Sequence, residues 1–231
     1  MDGELLCGET YADGCGRALA APAWCHEGER PALRDGLPDE VLRTLAASTS
    51  SAVRLAVARY ATAPADVVDR LATDRHEAVR VHAVTRTRSE RALYQAALRG
   101  SRPVRNAAAG NPHTPAAALQ RLGGDPDVEV RISVVTNPAA PPALVDAAVR
   151  DPHRYVRWWA LARTTDAALL RTAAASAYRR EREWGAGNPH CPPDVLARLA
   201  RDRSPRVRAR VAANPACPAH LRLQLAEDAD R

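Results

Sequence analysis

Three cysteines and a histidine crowd the first stretch of the chain: Cys7, Cys15, Cys25 and, directly after it, His26. Thiolates and imidazole are soft metal ligands, and a cluster of them in a glycine-rich segment suits an iron–sulfur centre first and zinc second. The segment has no Cys-x-x-Cys pair, so His26 must supply a fourth ligand or one iron stays open. Cys191 and Cys217 fall one repeat apart in the register set out below. That is too far for a disulfide, whose Cα atoms approach to about 4.4–6.8 Å. Catalysis finds no comparable footing. The sequence holds no phosphate-cradling glycine motif, no Gly-x-Ser-x-Gly and no paired histidines on one helix, so the chain is read as non-enzymatic.

The second chemistry is that of guanidinium. Val-Arg pairs recur at Val53-Arg54, Val79-Arg80, Val104-Arg105, Val130-Arg131, Val156-Arg157 and Val207-Arg208, with Glu181-Arg182 as a degenerate copy, in steps of 26, 25, 26, 26, 25 and 26 residues. Arg54, Arg80, Arg105, Arg131, Arg157, Arg182 and Arg208 therefore form a ladder, one per repeat. Such a ladder can read phosphates or carboxylates bidentately, which makes it the candidate nucleic-acid surface. Asp74, Asp125, Asp151 and Asp202 each lie five residues before the recurring position, and pairing with them between layers is the structural alternative. Three residues beyond the Val column stand Ala56, His82, Ala107, Ser133, Trp159, Trp184 and Arg210, so two tryptophans are expected side by side in adjacent layers. With Trp158, Tyr155, Tyr178, Arg157, Arg182, Arg179 and Arg180 nearby, this is the composition of an interface anchor and the candidate protein-binding patch. The competing reading is that the rings fill a layer whose usual Val has become Glu181.

These residues are positioned by a repeat. Paired apolar residues such as Val41-Leu42, Val67-Val68, Leu144-Val145 and Val195-Leu196, followed three positions on by Leu45, Leu71, Ala148 and Leu199, mark one face of a first helix. Pro38, Pro64, Pro115, Pro141, Pro192 and Pro218 are expected at its first position, with Thr114, Cys191 and Cys217 as N-caps, and Ser89 and Thr165 in the copies lacking Pro. A second helix runs from the Val-Arg pair to an Asn-Pro stop at Asn111, Asn137, Asn188 or Asn214. Helices of about eight to ten residues are marginal alone and must be stabilised by stacking. The expected fold is all-α, an α-solenoid of about seven and a half two-helix repeats of 25–26 residues, preceded by a Cys-rich segment over 1–35, with the array over 36–231.

Composition agrees. With no Phe and nine other aromatics the interior must be built from Ala, Leu and Val, and all 33 basic residues are Arg, which excludes lysine Schiff-base chemistry. Of the net charge of +6, residues 1–35 contribute −4, which leaves a basic array. No apolar run approaches the roughly 18 residues of a membrane span, and the start lacks the basic end of a signal peptide. A cytoplasmic protein with reduced thiols, a protein partner and no membrane association is expected.

The segment Asp125-Pro126-Asp127-Val128-Glu129-Val130-Arg131, with Asn137-Pro138 and Pro141, resembles the leucine-rich repeat variant family, and the likeness extends over most of the chain. The more distant HEAT repeats share the Asp and Val-Arg signals but have longer units. The resemblance implies alternating α- and 3₁₀-helices, although units of this length leave room for two full α-helices. It also implies, for some members, an N-terminal [4Fe–4S] segment ahead of the array, which would fall on Cys7, Cys15 and Cys25. Three functions follow: a non-enzymatic protein-binding scaffold, a cluster- or zinc-bearing responsive protein targeted by its array, and a nucleic-acid binder.

Overall fold

A computed structural model describes residues 24–27 and 30–229. They fall into two compact units that divide after Pro115. The first begins, in the segment ahead of the array, with a hairpin of β1 (Trp24–Glu27) and β2 (Arg30–Leu33), antiparallel with Cys25 opposite Ala32 and His26 opposite Pro31. Helical periodicity is absent from this stretch, and the hairpin lies outside the array. Gly36, at φ 76°, turns the chain from β2 towards the first helix, a conformation that glycine takes without a Cβ penalty.

Three two-helix layers complete this unit: α1 (Asp39–Leu45) with α2 (Ser51–Arg59), α3 (Ala65–Leu71) with α4 (Glu77–Val84), and α5 (Glu90–Arg99) with α6 (Arg102–Gly110). The second unit carries four more, α7 (Ala116–Gly123) with α8 (Val128–Thr136), α9 (Pro142–Ala148) with α10 (Arg154–Arg163), α11 (Ala167–Ala174) with α12 (Arg179–Ala186), and α13 (Pro193–Leu199) with α14 (Pro205–Ala212). A single helix, α15 (Ala219–Ala229), follows. Seven layers and a half are thus the expected count, in an all-α helical-repeat fold of the solenoid class. Both helices of each layer are α-helical; the 3₁₀ alternation that the family likeness implied is not found among the described residues.

Within each unit the second helices pack on one another, α2 on α4 on α6 and α8 on α10 on α12 on α14. All but α12 bury the Val that opens the ladder pair, and all but α14 also bury the residues four and five further on, such as Val57 and Ala58 or Ala160 and Leu161. Small residues at those contacts let short helices approach closely.

Two details of the connections differ from expectation. Pro38, Pro64, Pro141 and Pro192 are themselves the extended N-cap residues, one position earlier than placed from sequence, and their carbonyls accept the first helical hydrogen bonds. Thr114, Cys191 and Cys217 are buried instead of capping, and Thr114 Oγ1 donates back to the Ala108 carbonyl at 2.6 Å. Ser89 does cap, accepting from the Ala92 N–H, but in the other Pro-less copy Asp166 takes the place expected of Thr165.

The asparagines do more than stop a helix. Asn111 Nδ2 donates to the carbonyls of Val84 and Thr87 in the preceding layer, Asn188 to Leu161 and Thr164, and Asn214 to Ala186 and Asn188, all at 2.6–2.9 Å and all fully buried. In the two layers where the step shortens to 25 residues, the Asn-Pro-x-x-Pro connection becomes Arg86-Thr87-Arg88-Ser89 or Arg163-Thr164-Thr165-Asp166. There the guanidinium takes over the staple, Arg86 Nη1 reaching the Ala58 and Tyr60 carbonyls and Arg163 Nη1 those of Val135 and Asn137. A buried carbonyl left without such a donor costs about 1–3 kcal/mol, so each staple fixes the register of two layers.

Candidate interaction surfaces

The ladder arginines lie in the seam between layers. Arg54 is 5% exposed; its Nε and Nη2 donate to the two oxygens of Asp74 at 2.6 and 3.0 Å, and its Nη1 to the Ser48 and Thr49 carbonyls. Arg131 grips Asp151 and Arg182 grips Asp202 with the same two edges. In each case Nη1 turns back to carbonyls five and six residues earlier, a contact that Arg80, Arg157 and Arg208 share in whole or part. Arg105 Nη1 reaches the Gly100 carbonyl. The acids are held equally firmly, since one oxygen of each also accepts an N–H two residues on, that of His76, His153 or Ser204. Burial opposes ionisation of Asp74, Asp151 and Asp202, but the guanidinium and N–H bonds outweigh it and hold all three below the usual carboxylate range.

Glu181, degenerate in the sequence, has a clear part in this scheme. Its layer has Ser176 where layers 2, 4, 5 and 7 carry Asp, and Ser176 Oγ keeps the turn by accepting the Tyr178 N–H. The missing charge comes from the Val column instead: Glu181 accepts from Arg157 Nε at 3.1 Å and from Ser176 Oγ at 2.6 Å. The carboxylate has moved five residues along the chain and still reaches its arginine.

The tryptophans meet as their spacing predicts. Trp159 on α10 and Trp184 on α12 have ring centroids 5.3 Å apart at 49°, and Arg210 on α14 lies 6.0 Å over Trp184. Trp159 remains 40% exposed. Beside them on α10, Tyr155 and Trp158 meet edge to face at 5.0 Å, with Arg154 over both rings and Arg180 reaching Trp158 from the next layer. The arginines at the rings are thus Arg154, Arg180 and Arg210. Arg157 and Arg182, assigned to this patch from sequence, are turned into the seam and engaged by Glu181 and Asp202, because their helical position faces the neighbouring layer and not solvent.

Residues 102–127 match the family described as leucine rich repeat variant, and residues 181–231 the leucine rich repeat variant domain. The fold is similar to that of a solved protein described as a leucine-rich repeat variant with a novel repetitive structural motif, with a TM-score of 0.59 and 22% identity over 81% of this chain and 80% of that one. Residues 102–127 and 181–231 thus carry leucine-rich repeat variant units, and the fold around them is of that kind. No curated protein matches it.

Cys7 and Cys15 lie outside the described residues, and Cys25 and His26 occupy adjacent positions in β1. Among the described residues no group of three or more His, Cys, Asp or Glu side chains is arranged to hold a metal ion. Cys191 and Cys217 are buried free thiols, and burial, with the Asp194 charge adding, pushes the Cys191 thiol up to about 11. That suppresses the nucleophilic thiolate and leaves a packing role. An apolar cleft of about 760 Å³ opens between α14 and α15, lined by Ala209, Ala212, Leu225 and Ala226 with Arg208 and Arg222 at its edge. No helix among the described residues is long and apolar enough to cross a membrane.

Proposed function

We propose that this helical-repeat protein is a non-enzymatic, cytoplasmic scaffold that binds a protein partner through the aromatic face of α10, α12 and α14. The observation that supports this is the column Trp159, Trp184, Arg210, an exposed ring stacked beside a half-buried one in an array whose other second helices present Ala, Ser or His at that position. Large rings topped by guanidinium groups give contact area at low entropic cost and are the usual material of binding hot spots. Against the nucleic-acid reading, Arg54, Arg131, Arg157 and Arg182 spend their donor edges on acids of the neighbouring layer.

The test is affinity capture from the native cell with the wild type and with Trp159→Ala/Trp184→Ala, followed by identification and titration of what is bound. A partner held by the wild type should bind the double variant at least about 30-fold more weakly, as expected for a loss of about 2 kcal/mol, with the helical circular dichroism unchanged. Unaltered binding, or global unfolding of the variant, would assign the rings to packing.

A further inference from the structure

One rung of the ladder is built differently from the rest. Five residues before the recurring Val position the seven layers carry Ser48, Asp74, Arg99, Asp125, Asp151, Ser176 and Asp202. In six of them the side chain accepts the N–H two residues further on, from Ser50, His76, Asp127, His153, Tyr178 and Ser204 respectively. Arg99 cannot accept, and the corresponding N–H, that of Ser101 at the N-cap of α6, has no acceptor among the described residues. Ser101 Oγ is buried and also without a partner.

The arginine that faces this position from the preceding layer is Arg80. Its Nη1 is fixed as in every other rung, donating to the Asp74 carbonyl at 2.7 Å and the Arg75 carbonyl at 2.9 Å. In the sister rungs that anchorage aims Nε, with Nη2 in the aspartate rungs, at the next layer's carboxylate, that of Asp74, Asp151, Glu181 or Asp202. No acid among the described residues forms an ion pair with Arg80. By equivalence with the sister rungs, a guanidinium edge held in place, a backbone N–H, an unbonded hydroxyl and the positive end of the nine-residue α6 belong to the position where the neighbouring layers each hold a carboxylate. The exposed Arg99 adds a further positive charge to the approach.

We infer that Arg80, the Ser101 N–H and Ser101 Oγ form a binding site for a carboxylate supplied from outside the array, which completes the rung that Arg99 leaves open. The geometry favours a carboxylate over a phosphate because each sister rung presents two donors to the two oxygens of a planar group. The site is independent of the aromatic patch on the second unit.

Internal repetition supplies the control. Arg99→Asp restores the acid of layers 2, 5 and 7, and Arg99→Ser/Val104→Glu transplants the arrangement of Ser176 and Glu181. On the full chain, exchange of 200 mM chloride for acetate should raise the wild-type Tm by about 2 °C more than that of either variant, because ligand binding stabilises only a protein whose site is open. Arg99→Ala, which removes charge without supplying an acid, should keep the acetate response. In a ¹H–¹⁵N spectrum the Arg80 Nε–H resonance, assigned by its absence in Arg80→Gln, should move during the acetate titration. A blocked Gly-Asp-Gly peptide separates two sources of the ligand: equal potency with acetate indicates a free small carboxylate, and at least tenfold greater potency indicates an acidic side chain of a polypeptide. An acetate response equal in wild type and Arg99→Asp, an Arg80 resonance that does not move, or phosphate acting at tenfold lower concentration than acetate would each overturn the assignment.

Discussion

Layers 3 and 6 have both lost the aspartate that layers 2, 4, 5 and 7 carry before the second helix, and they have met the loss in opposite ways. In layer 6 Ser176 keeps the turn and Glu181 returns the charge to Arg157, at the expense of a buried Val. In layer 3 Val104 is retained and buried, Arg99 replaces the acid, and among the described residues Arg80 bonds only to its two carbonyls. The two sites are otherwise equivalent, three repeats apart and each following a shortened Arg-Thr connection. What the repeat conserves between them is therefore the guanidinium and its carbonyl anchorage. The acid can be relocated within the chain or, on our inference, provided by a ligand.

The largest effect expected from breaking this comparison lies in a complete rung. Asp74→Ala leaves Arg54, 5% exposed, without its counter-charge, and also strips the His76 N–H of its acceptor. Removing one partner of a buried ion pair costs about 3–5 kcal/mol, so urea unfolding should show a loss near the lower figure. A loss below about 1 kcal/mol would mean that carbonyl anchorage alone holds the ladder, and that layer 3 is no different from the rest.

Acid should produce the same defect by degrees. Asp74, Asp151 and Asp202 are held below the usual carboxylate range by their arginines and N–H donors, so the unfolded chain takes up protons first as pH falls. The stability they contribute is whole above the unfolded value of about 4 and is lost as pH drops through the lower folded values. Unfolding midpoints should decline below about pH 4, and Asp74→Ala should decline less steeply than wild type. Parallel profiles for the two proteins would remove Asp74 from the acid response.

How much of this could be read from sequence follows from what repetition can encode. The Val column is legible because each layer must bury an apolar residue at the same angle, and the Trp159–Trp184 contact follows from that register alone. Pairing of Arg54 with Asp74 was one of two readings open at that spacing, and only coordinates turn the guanidinium into the seam. Arg157 and Arg182 were assigned to the rings by proximity in the chain, whereas Arg154, Arg180 and Arg210 reach them from other helical angles. The staples of Asn111, Asn188 and Asn214 were hidden behind the stronger local message of Asn-Pro, which reads as a stop whether or not the amide is buried. Arg86 and Arg163 could have revealed them, since an Arg in the Asn slot makes no sense as a stop and good sense as a longer donor. The β1–β2 hairpin left no repeat signal, being too short for a period to register.

The smallest effect gives the sharpest version of the comparison. Glu181→Val converts layer 6 towards the state of layer 3: Arg157 loses its acid, Ser176 Oγ loses its acceptor, and an apolar side chain returns to the Val column. Arg157 is more exposed than Arg54, and water can replace part of what is lost, so the expected cost is about 1 kcal/mol, the net worth of a hydrogen bond to a charged group less the gain from burying Val. Adding Ser176→Asp should recover that loss, because it rebuilds the rung of layers 2, 5 and 7 on both sides of the seam. A double variant no more stable than Glu181→Val would show that Glu181 does not stand in for the aspartate, and the equivalence drawn between the two layers would go with it. Recovery, by contrast, would show that any layer accepts its carboxylate from either position, and that Arg80 differs from Arg157 only in having been offered neither.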